Sequence, residues 1–199
     1  MTTELDVHRE EGSRIALLVI DVQQGLFERS TPIYNAEQLL DNLNVLIRGA
    51  RRAGVPVFFI QHANKSTLVE GSGAWQLHPQ IQPSRTELII HKQHGNAFEE
   101  TVLQEELESR GVRTLVIAGL VTHGCVKATC QGAMRSGYQV ILVSDGHSSF
   151  NKQAVKLIEK WNRKLGELGA ELRATKEIDF SAIELSRRGD LTTSGFLVL

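Results

Sequence analysis

The chain has 199 residues, of which 41% are hydrophobic and 23% are charged, and its formal net charge is -1. This composition is that of an ordinary globular domain, and the near-neutral charge argues against a nucleic-acid or anionic-membrane partner. No run approaches the roughly 20 apolar residues of a membrane span. The polar start MTTELDVHREEGSR lacks the features of a signal peptide, so we predict a cytoplasmic protein.

The first predicted elements are a buried strand and an amphipathic helix. The apolar run RIALLVID (14–21) is typical of a strand that is buried on both faces, as in parallel sheets. A helix is predicted over 36–53, with Asn35 as its N-cap, Gln38 completing a capping box and Gly54 ending it. Its apolar stripe consists of Leu39, Leu40, Leu43, Leu46, Ile47 and Ala50.

A second predicted strand, VPVFFI (55–60), is followed by a stretch rich in Gly, Ser and Pro that predicts a loop over 61–83. The elements predicted after this loop are a strand at 87–92, a helix at 97–110, a strand at 114–119, a helix at 124–136, a strand at 138–145, a helix at 151–168 and a short strand at 170–175. The helix at 97–110 is expected to begin at a capping box of Asn96 and Glu99.

Strands that alternate with helices predict a parallel sheet with right-handed crossovers and helices on both faces. We therefore predict an α/β fold, a three-layer αβα sandwich with a six-stranded, mainly parallel sheet, in a single domain over 1–199. Residues 1–13 are expected to form an N-terminal arm, and the segment 178–199, which ends in FLVL, is compatible with a place at a subunit interface. In such sheets ligands bind beyond the carboxyl ends of the strands.

Three predicted strand ends carry an acid, an amine and a thiol. The first strand ends at Asp21, the third ends at Lys92, and the fourth runs into a turn that carries Cys125. Each residue alone has a structural explanation: a turn cap, a solvated amine or a small core side chain. Together at one edge of the sheet they indicate a nucleophilic site, because a helix start and an ammonium favour a thiolate and a carboxylate can take the thiol proton. This chemistry predicts acyl transfer to sulfur and then hydrolysis.

Four stretches resemble the isochorismatase-like cysteine hydrolases, the family of isochorismatases, nicotinamidases and N-carbamoylsarcosine amidases. They are ALLVIDVQQGLF, IIHKQHGNAFEET, VIAGLVTHGCVKATC and VILVSDGHSS, and the resemblance runs from about residue 14 to 176. It implies a catalytic triad of Asp21, Lys92 and Cys125, and a homodimer or homotetramer. It also implies a non-proline cis peptide at Leu120–Val121 that directs the Val121 N–H, beside the Cys125 N–H, into an oxyanion hole.

The residues after the second strand bear on whether a metal is needed. Nicotinamidases resemble this pattern but carry a metal site there, built from an acid and two histidines. The corresponding stretch QHANKSTLVEGSG offers His62 but neither a matching Asp nor a second His, so we predict no metal and no other cofactor. His91 and His94 flank Lys92, but they are expected on a strand end and a loop, where their spacing does not make a helical metal pair.

Isochorismatases proper cleave a vinyl ether without using the cysteine, so Cys125 favours the thiol-dependent branch, which acts on small amides, ureides or N-carbamoyl compounds. Candidate substrate-binding residues are Gln23, Phe27, His62 and Trp75, although loop packing or a subunit contact explains Trp75 equally well. Two alternatives remain open. One is a vinyl ether hydrolase for which Cys125 is dispensable, and the other is a non-enzymatic binding protein on the same scaffold.

Overall fold

The structure is a computed structural model that describes residues 14–189. The predicted N-terminal arm and the terminal FLVL lie outside the described residues. The strands are β1 (Ile15–Ile20), β2 (Val57–His62), β3 (Leu88–Lys92), β4 (Thr114–Leu120), β5 (Gln139–Ser148) and β6 (Glu171–Arg173). The α-helices are α1 (Gln24–Phe27), α2 (Ala36–Arg52), α3 (Leu103–Ser109), α4 (Lys127–Arg135), α5 (Ala154–Glu167) and α6 (Phe180–Gly189). Among these helices, none combines the length and apolar character that crossing a bilayer requires.

All six strands pair in parallel, in the order β3-β2-β1-β4-β5-β6. The chain builds the sheet outward from β1 through β2 and β3, and then returns to place β4 on the other side of β1. This reversal is the topological switch point at which open α/β sheets bind ligands. The predicted α/β fold is therefore confirmed, and the carboxyl ends of β1 to β4 are brought together.

Helices cover both faces of the sheet, which explains the continuous apolar strands. Every residue of β1 is buried, and its odd-numbered residues belong to one hydrophobic cluster while its even-numbered residues belong to the other. The predicted stripe of α2 is buried on the first face. Phe180 and Ile183 of α6 pack in the same cluster, so this part of the segment 178–199 covers the chain's own core. Side chains of α3, α4 and α5 cover the second face.

The predicted capping boxes of both helices are wrong. Asn35 occupies the N-cap position of α2, but its backbone is left-handed (φ 50°) and its side chain makes no capping hydrogen bond. Gln38 instead donates from Nε2 to Asn42 Oδ1 at 2.9 Å. The helix predicted from residue 97 begins only at Leu103, because Glu100 has a φ of 53° that a right-handed helix does not allow.

Two further boundaries move in ways that affect the site. β2 begins at Val57 rather than 55, because Pro56 has no N–H to pair in a strand, and it continues to His62. His62 therefore pairs in register with Lys92 of β3 instead of following the strand. α4 begins at Lys127 rather than 124, because Gly124 interrupts the helical backbone with φ -110° and ψ -112°.

Gly119 in β4 lies too close to β1 for any side chain. Its φ is +123°, and a Cβ atom there would lie 2.2 Å from Ile20 O and 2.6 Å from Ile20 N. We expect Gly119→Ala to lower the free energy of unfolding by about 3 kcal/mol or more, because strain adds to a clash with backbone that cannot rotate away. Urea unfolding measures this loss.

The matched control is Gly111→Ala. Gly111 also has a positive φ, +69°, but none of the residues that the structure describes would bring an atom within 4 Å of its Cβ. Gly111→Ala should lower the free energy of unfolding only by the backbone strain, about 1 kcal/mol. Equal losses for the two variants would mean that the contact between β1 and β4 yields readily.

Candidate active site

Asp21 follows β1 directly and has a left-handed backbone (φ 49°), a conformation that Asp tolerates better than most residues. Its N–H donates to Ile60 O at 2.9 Å, which holds the turn against β2. The residue is 2% exposed. Its Oδ2 accepts a hydrogen bond from Lys92 Nζ at 2.8 Å, whereas Oδ1 is buried and has no partner among the described residues. One carboxylate oxygen therefore holds Lys92, and the other is available for a proton.

Lys92 is the last residue of β3, and its side chain is fully buried, with 0% exposure. Its Nζ atom lies 2.8 Å from Asp21 Oδ2 and 3.2 Å from each of three others, which are His62 Nδ1, the His94 carbonyl oxygen and Cys125 Sγ. The predicted acid, amine and thiol thus meet at one edge of the sheet. The ammonium lies between the carboxylate and the sulfur.

Cys125 lies in an irregular turn, Thr122–Val126, between β4 and α4. The turn is closed by the Val121 carbonyl, which accepts hydrogen bonds from Gly124 N–H at 2.9 Å and Val126 N–H at 3.3 Å. The peptide bond between Leu120 and Val121 is cis. Gly124 keeps this turn tight, because a Cβ there would already lie 3.0 Å from Val121 Cγ2.

The resting state of Cys125 is the neutral thiol. Burial, and after it the negative charge of Asp21, raises the pKa of Cys125 to about 12, although the Lys92 charge acts in the opposite direction. The sequence pattern emphasised the helix start and the ammonium, which favour a thiolate. In the structure, burial and the Asp21 charge outweigh the effects that favour a thiolate. A neighbouring group must therefore take up the thiol proton during any reaction at sulfur.

His62 joins this group from β2 and is half-buried. Burial, and then the charge of Lys92, lowers the pKa of His62, so the imidazole is neutral at pH 7. Ligand atoms of Asp21, His62 and Cys125 lie within 4.8 Å of one another, a spacing at which such residues hold metals elsewhere. Here the Lys92 ammonium lies within 3.2 Å of all three, and its charge repels a cation from that position. The donor set therefore does not fit a metal.

Gln23 and Trp75, both predicted to bind substrate, are joined by a hydrogen bond from the Gln23 side chain to the Trp75 backbone carbonyl. Gln23 is fully buried; its Nε2 donates to the carbonyls of His62 (2.9 Å) and Trp75 (2.7 Å), and its Oε1 accepts from His62 N–H (2.9 Å). Gln61 Nε2 donates to the same Trp75 carbonyl at 2.7 Å. The indole ring makes an edge contact with His91. The structure thus uses Gln23 as a tether between β2 and the following loop.

This loop is anchored beside the site. Gln24 N–H and Gly25 N–H donate to the carbonyls of Gln76 and Ala74 at 2.9 and 2.8 Å, so residues 74–78 run antiparallel to the segment after β1. The ring of Phe27, the fourth predicted substrate contact, packs against the ring of His78, with 4.5 Å between the two ring centroids. These bonds place the aromatic residues of the loop at the same end of the sheet as Asp21.

A buried hydrogen-bonded chain behind the nucleophile turn was not singled out in the sequence. His147 Nε2 lies 2.8 Å from Asn162 Oδ1, and its Nδ1 lies 2.9 Å from Thr122 Oγ1, three residues before Cys125. Asn162 Nδ2 donates to Ser144 O at 3.1 Å, so its Oδ1 accepts from His147 Nε2. Thr122 Oγ1 has a single hydrogen and lies within hydrogen-bond distance of both His147 Nδ1 and Ser148 O, the latter at 3.0 Å. The only local signal was a histidine two residues beyond the predicted strand 138–145, in the stretch VILVSDGHSS.

His147 should make the protein less stable in acid. Burial lowers its pKa from the usual 6.5 to about 4. Above pH 6.5 neither state binds the proton, but as the pH falls from 6.5 to 4 the unfolded chain takes it up and the folded chain does not. This lowers the free energy of unfolding by about 3 kcal/mol over that range. Denaturant unfolding of wild type and His147→Gln as a function of pH measures this loss. The variant should lack the loss that His147 causes between pH 6.5 and 4. If the free energies of unfolding of the two proteins changed in parallel with pH, His147 would not be its source.

Comparisons with known proteins show the family to which the chain belongs. The isochorismatase domain family matches residues 15–166 of the chain. The chain is 33% identical to nicotinamidase 3 of Arabidopsis thaliana over 162 residues, which cover 73% of this chain and 79% of that protein. It is 30% identical to streptothricin hydrolase of Streptomyces noursei over 138 residues, which cover 68% of this chain but only 50% of that protein.

The similarity extends to solved structures. A crystal structure of an isochorismatase family protein matches with a TM-score of 0.76 and 30% sequence identity, covering 81% of this chain and 98% of the other. N-carbamoylsarcosine amidase of Thermoplasma acidophilum shares the fold, with a TM-score of 0.73 at 22% identity and coverage of 83% and 99% of the two chains. With its family match, its fold and its relatives of the amidase type, the chain belongs to the isochorismatase family of hydrolases.

Proposed function

We propose that this protein is a metal-independent cysteine hydrolase that cleaves the C–N bond of a small amide, ureide or N-carbamoyl substrate. The observation that carries the proposal is the contact of Lys92 Nζ with both Asp21 Oδ2 (2.8 Å) and Cys125 Sγ (3.2 Å). The Cys125 thiol, the Asp21 carboxylate and the buried Lys92 ammonium supply a nucleophile, a base and a counter-charge.

In the proposed first half-reaction, the Cys125 thiol gives its proton to Asp21 Oδ1, the buried oxygen that has no partner within residues 14–189. The sulfur then attacks the carbonyl carbon, and Lys92 stays protonated and offsets the negative charge that moves between sulfur and carboxylate. The backbone N–H groups of Val121 and Cys125 stabilise the tetrahedral oxyanion. Asp21 returns the proton to the leaving nitrogen as the C–N bond breaks, which releases ammonia or an amine and leaves a thioester.

In the second half-reaction, a water molecule gives a proton to Asp21 and attacks the thioester carbon. The C–S bond then breaks, the acid product leaves, and Asp21 returns the proton to sulfur. After these steps Cys125, Asp21 and Lys92 carry the same protons as at the start, and no step needs a metal. The high pKa of the resting thiol makes Asp21 essential, because too little thiolate exists without a base.

Two features support the C–N bond as the target. The relatives nicotinamidase 3 and streptothricin hydrolase are by name hydrolases, and the first acts on an amide. A vinyl ether hydrolase has no use for a thiol at this position, whereas here the sulfur contacts the ammonium directly. We assign Phe27 and Trp75 to the wall of the substrate site, with Gln23 holding the Trp75 backbone in place.

The test is release of ammonia or amine from a panel of small amides, ureides, N-carbamoyl compounds and nicotinamide, measured with and without a chelator. Isochorismate is included as the vinyl ether. We expect turnover of at least one C–N compound, at a rate that the chelator does not change. Turnover of isochorismate alone would overturn the proposal, and turnover that stops with chelator would overturn its metal-independent part.

A further inference from the structure

The Lys92 ammonium has more acceptors around it than hydrogens to donate. Asp21 Oδ2, His62 Nδ1, the His94 carbonyl and Cys125 Sγ all lie within 3.2 Å of Nζ. An ammonium carries three N–H groups, so Lys92 cannot donate a separate N–H group to each of the four acceptors. Which acceptor goes without its own N–H group depends on the protonation state of the sulfur.

In the resting site the sulfur is the weakest competitor. A neutral thiol accepts hydrogen bonds poorly, whereas a carboxylate, an imidazole nitrogen and a backbone carbonyl accept them well. The three N–H groups therefore go to Asp21, His62 and His94. When the thiol proton moves to Asp21, the sulfur becomes an anion and needs an N–H group of Lys92. In the resting site that N–H group is already donated to His62 or to the His94 carbonyl.

We propose that His62 is a positioning residue that competes with Cys125 for one N–H group of Lys92 and thereby sets the fraction of Cys125 present as thiolate. This inference rests on the proposed function only in taking Cys125 as the reactive thiol. His62 is the competitor that a substitution can remove, because the fourth acceptor is a backbone carbonyl. A chain with an apolar residue at 62 has three acceptors for three N–H groups, so the thiolate forms without displacing another acceptor.

Among the described residues, the groups that face this contact come from four different places in the chain. Asp21 faces it from β1, Lys92 from β3, the His94 carbonyl from the loop after β3 and Cys125 from the turn after β4. The tether from Gln23 binds only the backbone of His62, so a side-chain change leaves it intact. At neutral pH His62 is uncharged, so its removal does not change the net charge of the site.

The test measures the rate of Cys125 alkylation by iodoacetamide between about pH 7 and pH 9, where the rate follows the thiolate fraction. The modified peptide is quantified by mass spectrometry, so no substrate is needed. We expect His62→Leu to raise the rate roughly tenfold at each pH, the size of a charge-assisted hydrogen bond. A role in packing or solvent exclusion predicts the opposite sign, because leucine desolvates the sulfur further and raises its pKa.

His62→Asn is the matched control, because its carbonyl oxygen can accept a hydrogen bond near the position of Nδ1. It should keep the wild-type profile, and so should His91→Leu, which removes a neighbouring imidazole that contacts Trp75 instead. His62→Met replaces His62→Leu if the leucine variant does not fold. An unchanged or slower alkylation rate in the apolar variant would overturn the inference, even if the panel shows thiol-dependent turnover. A raised rate supports it even if the panel finds no substrate.

Discussion

Replacing Cys125 with alanine is expected to lower turnover by at least about 10⁴-fold and to leave the fold intact. The factor is large because the triad acts as a unit, and removal of a nucleophile leaves only the contribution of substrate binding and the oxyanion donors. The stability should change by less than about 1 kcal/mol, because the thiol is only partly buried and the Asp21–Lys92 ion pair remains. Turnover of the best panel substrate and urea unfolding measure the two quantities.

Cys130→Ala is the control for the loss of a thiol. Cys130 is completely buried in α4 and packs in the second hydrophobic cluster, so its removal should cost about 1 kcal/mol of stability. Its turnover should stay at the wild-type level. If the Cys125 variant kept full turnover, the reaction would not pass through sulfur, and a chemistry that uses Asp21 without the thiol would take its place.

Lys92→Met is expected to lower the free energy of unfolding by about 3–5 kcal/mol and to abolish turnover. The side chains of Lys92 and Asp21 are 0% and 3% exposed, so methionine leaves a buried carboxylate without its counter-charge. The same change removes the cation that the proposed thiolate needs. Chemical unfolding at neutral pH measures the loss of stability. The rate of Cys125 alkylation measures the loss of thiolate, and this rate should fall.

The double variant Asp21→Asn with Lys92→Met separates the charge from the packing. Both charges are then absent, and much of the stability lost in the single Lys92 variant should return. Asp21→Asn alone should be destabilising as well, because it leaves an ammonium buried. A cost below about 1 kcal/mol for Lys92→Met would indicate that water screens the pair, which contradicts the burial on which the site depends.

The proposed chemistry explains the buried ion pair better than a contribution to stability does. Removing two charges from water costs several kcal/mol each, and replacing such a pair with apolar side chains often stabilises a protein. Here the pair surrounds a thiol whose pKa is about 12. A carboxylate oxygen without a partner among the described residues and an ammonium with four acceptors are features that a structural ion pair does not need, and both fit the proposed transfer of a proton from sulfur to carboxylate.

Sequence patterns were sufficient where a property is local or periodic. The runs at β1 and β4 are apolar along their whole length because helices cover both faces, and these runs, together with the alternation of strands and helices, predicted a parallel α/β sheet. The rule that ligands bind beyond the carboxyl ends of parallel strands placed Asp21, Lys92 and Cys125 together. The helix starts failed for an equally local reason: the backbones of Glu100 and Gly124 leave the helical region, and no capping pattern reports this.

By itself, then, the sequence determined the order of strands and helices, the parallel sheet and the three side chains at its edge. The tertiary structure decided which groups surround them. His62 meets the Lys92 ammonium only because β2 runs to residue 62 and pairs in register with β3, and His147 meets Thr122 only across the junction of β4 and β5. The physical reason is that hydrogen bonds and pKa values depend on distances of about 3 Å between residues far apart in the chain, and periodicity carries no information about such distances.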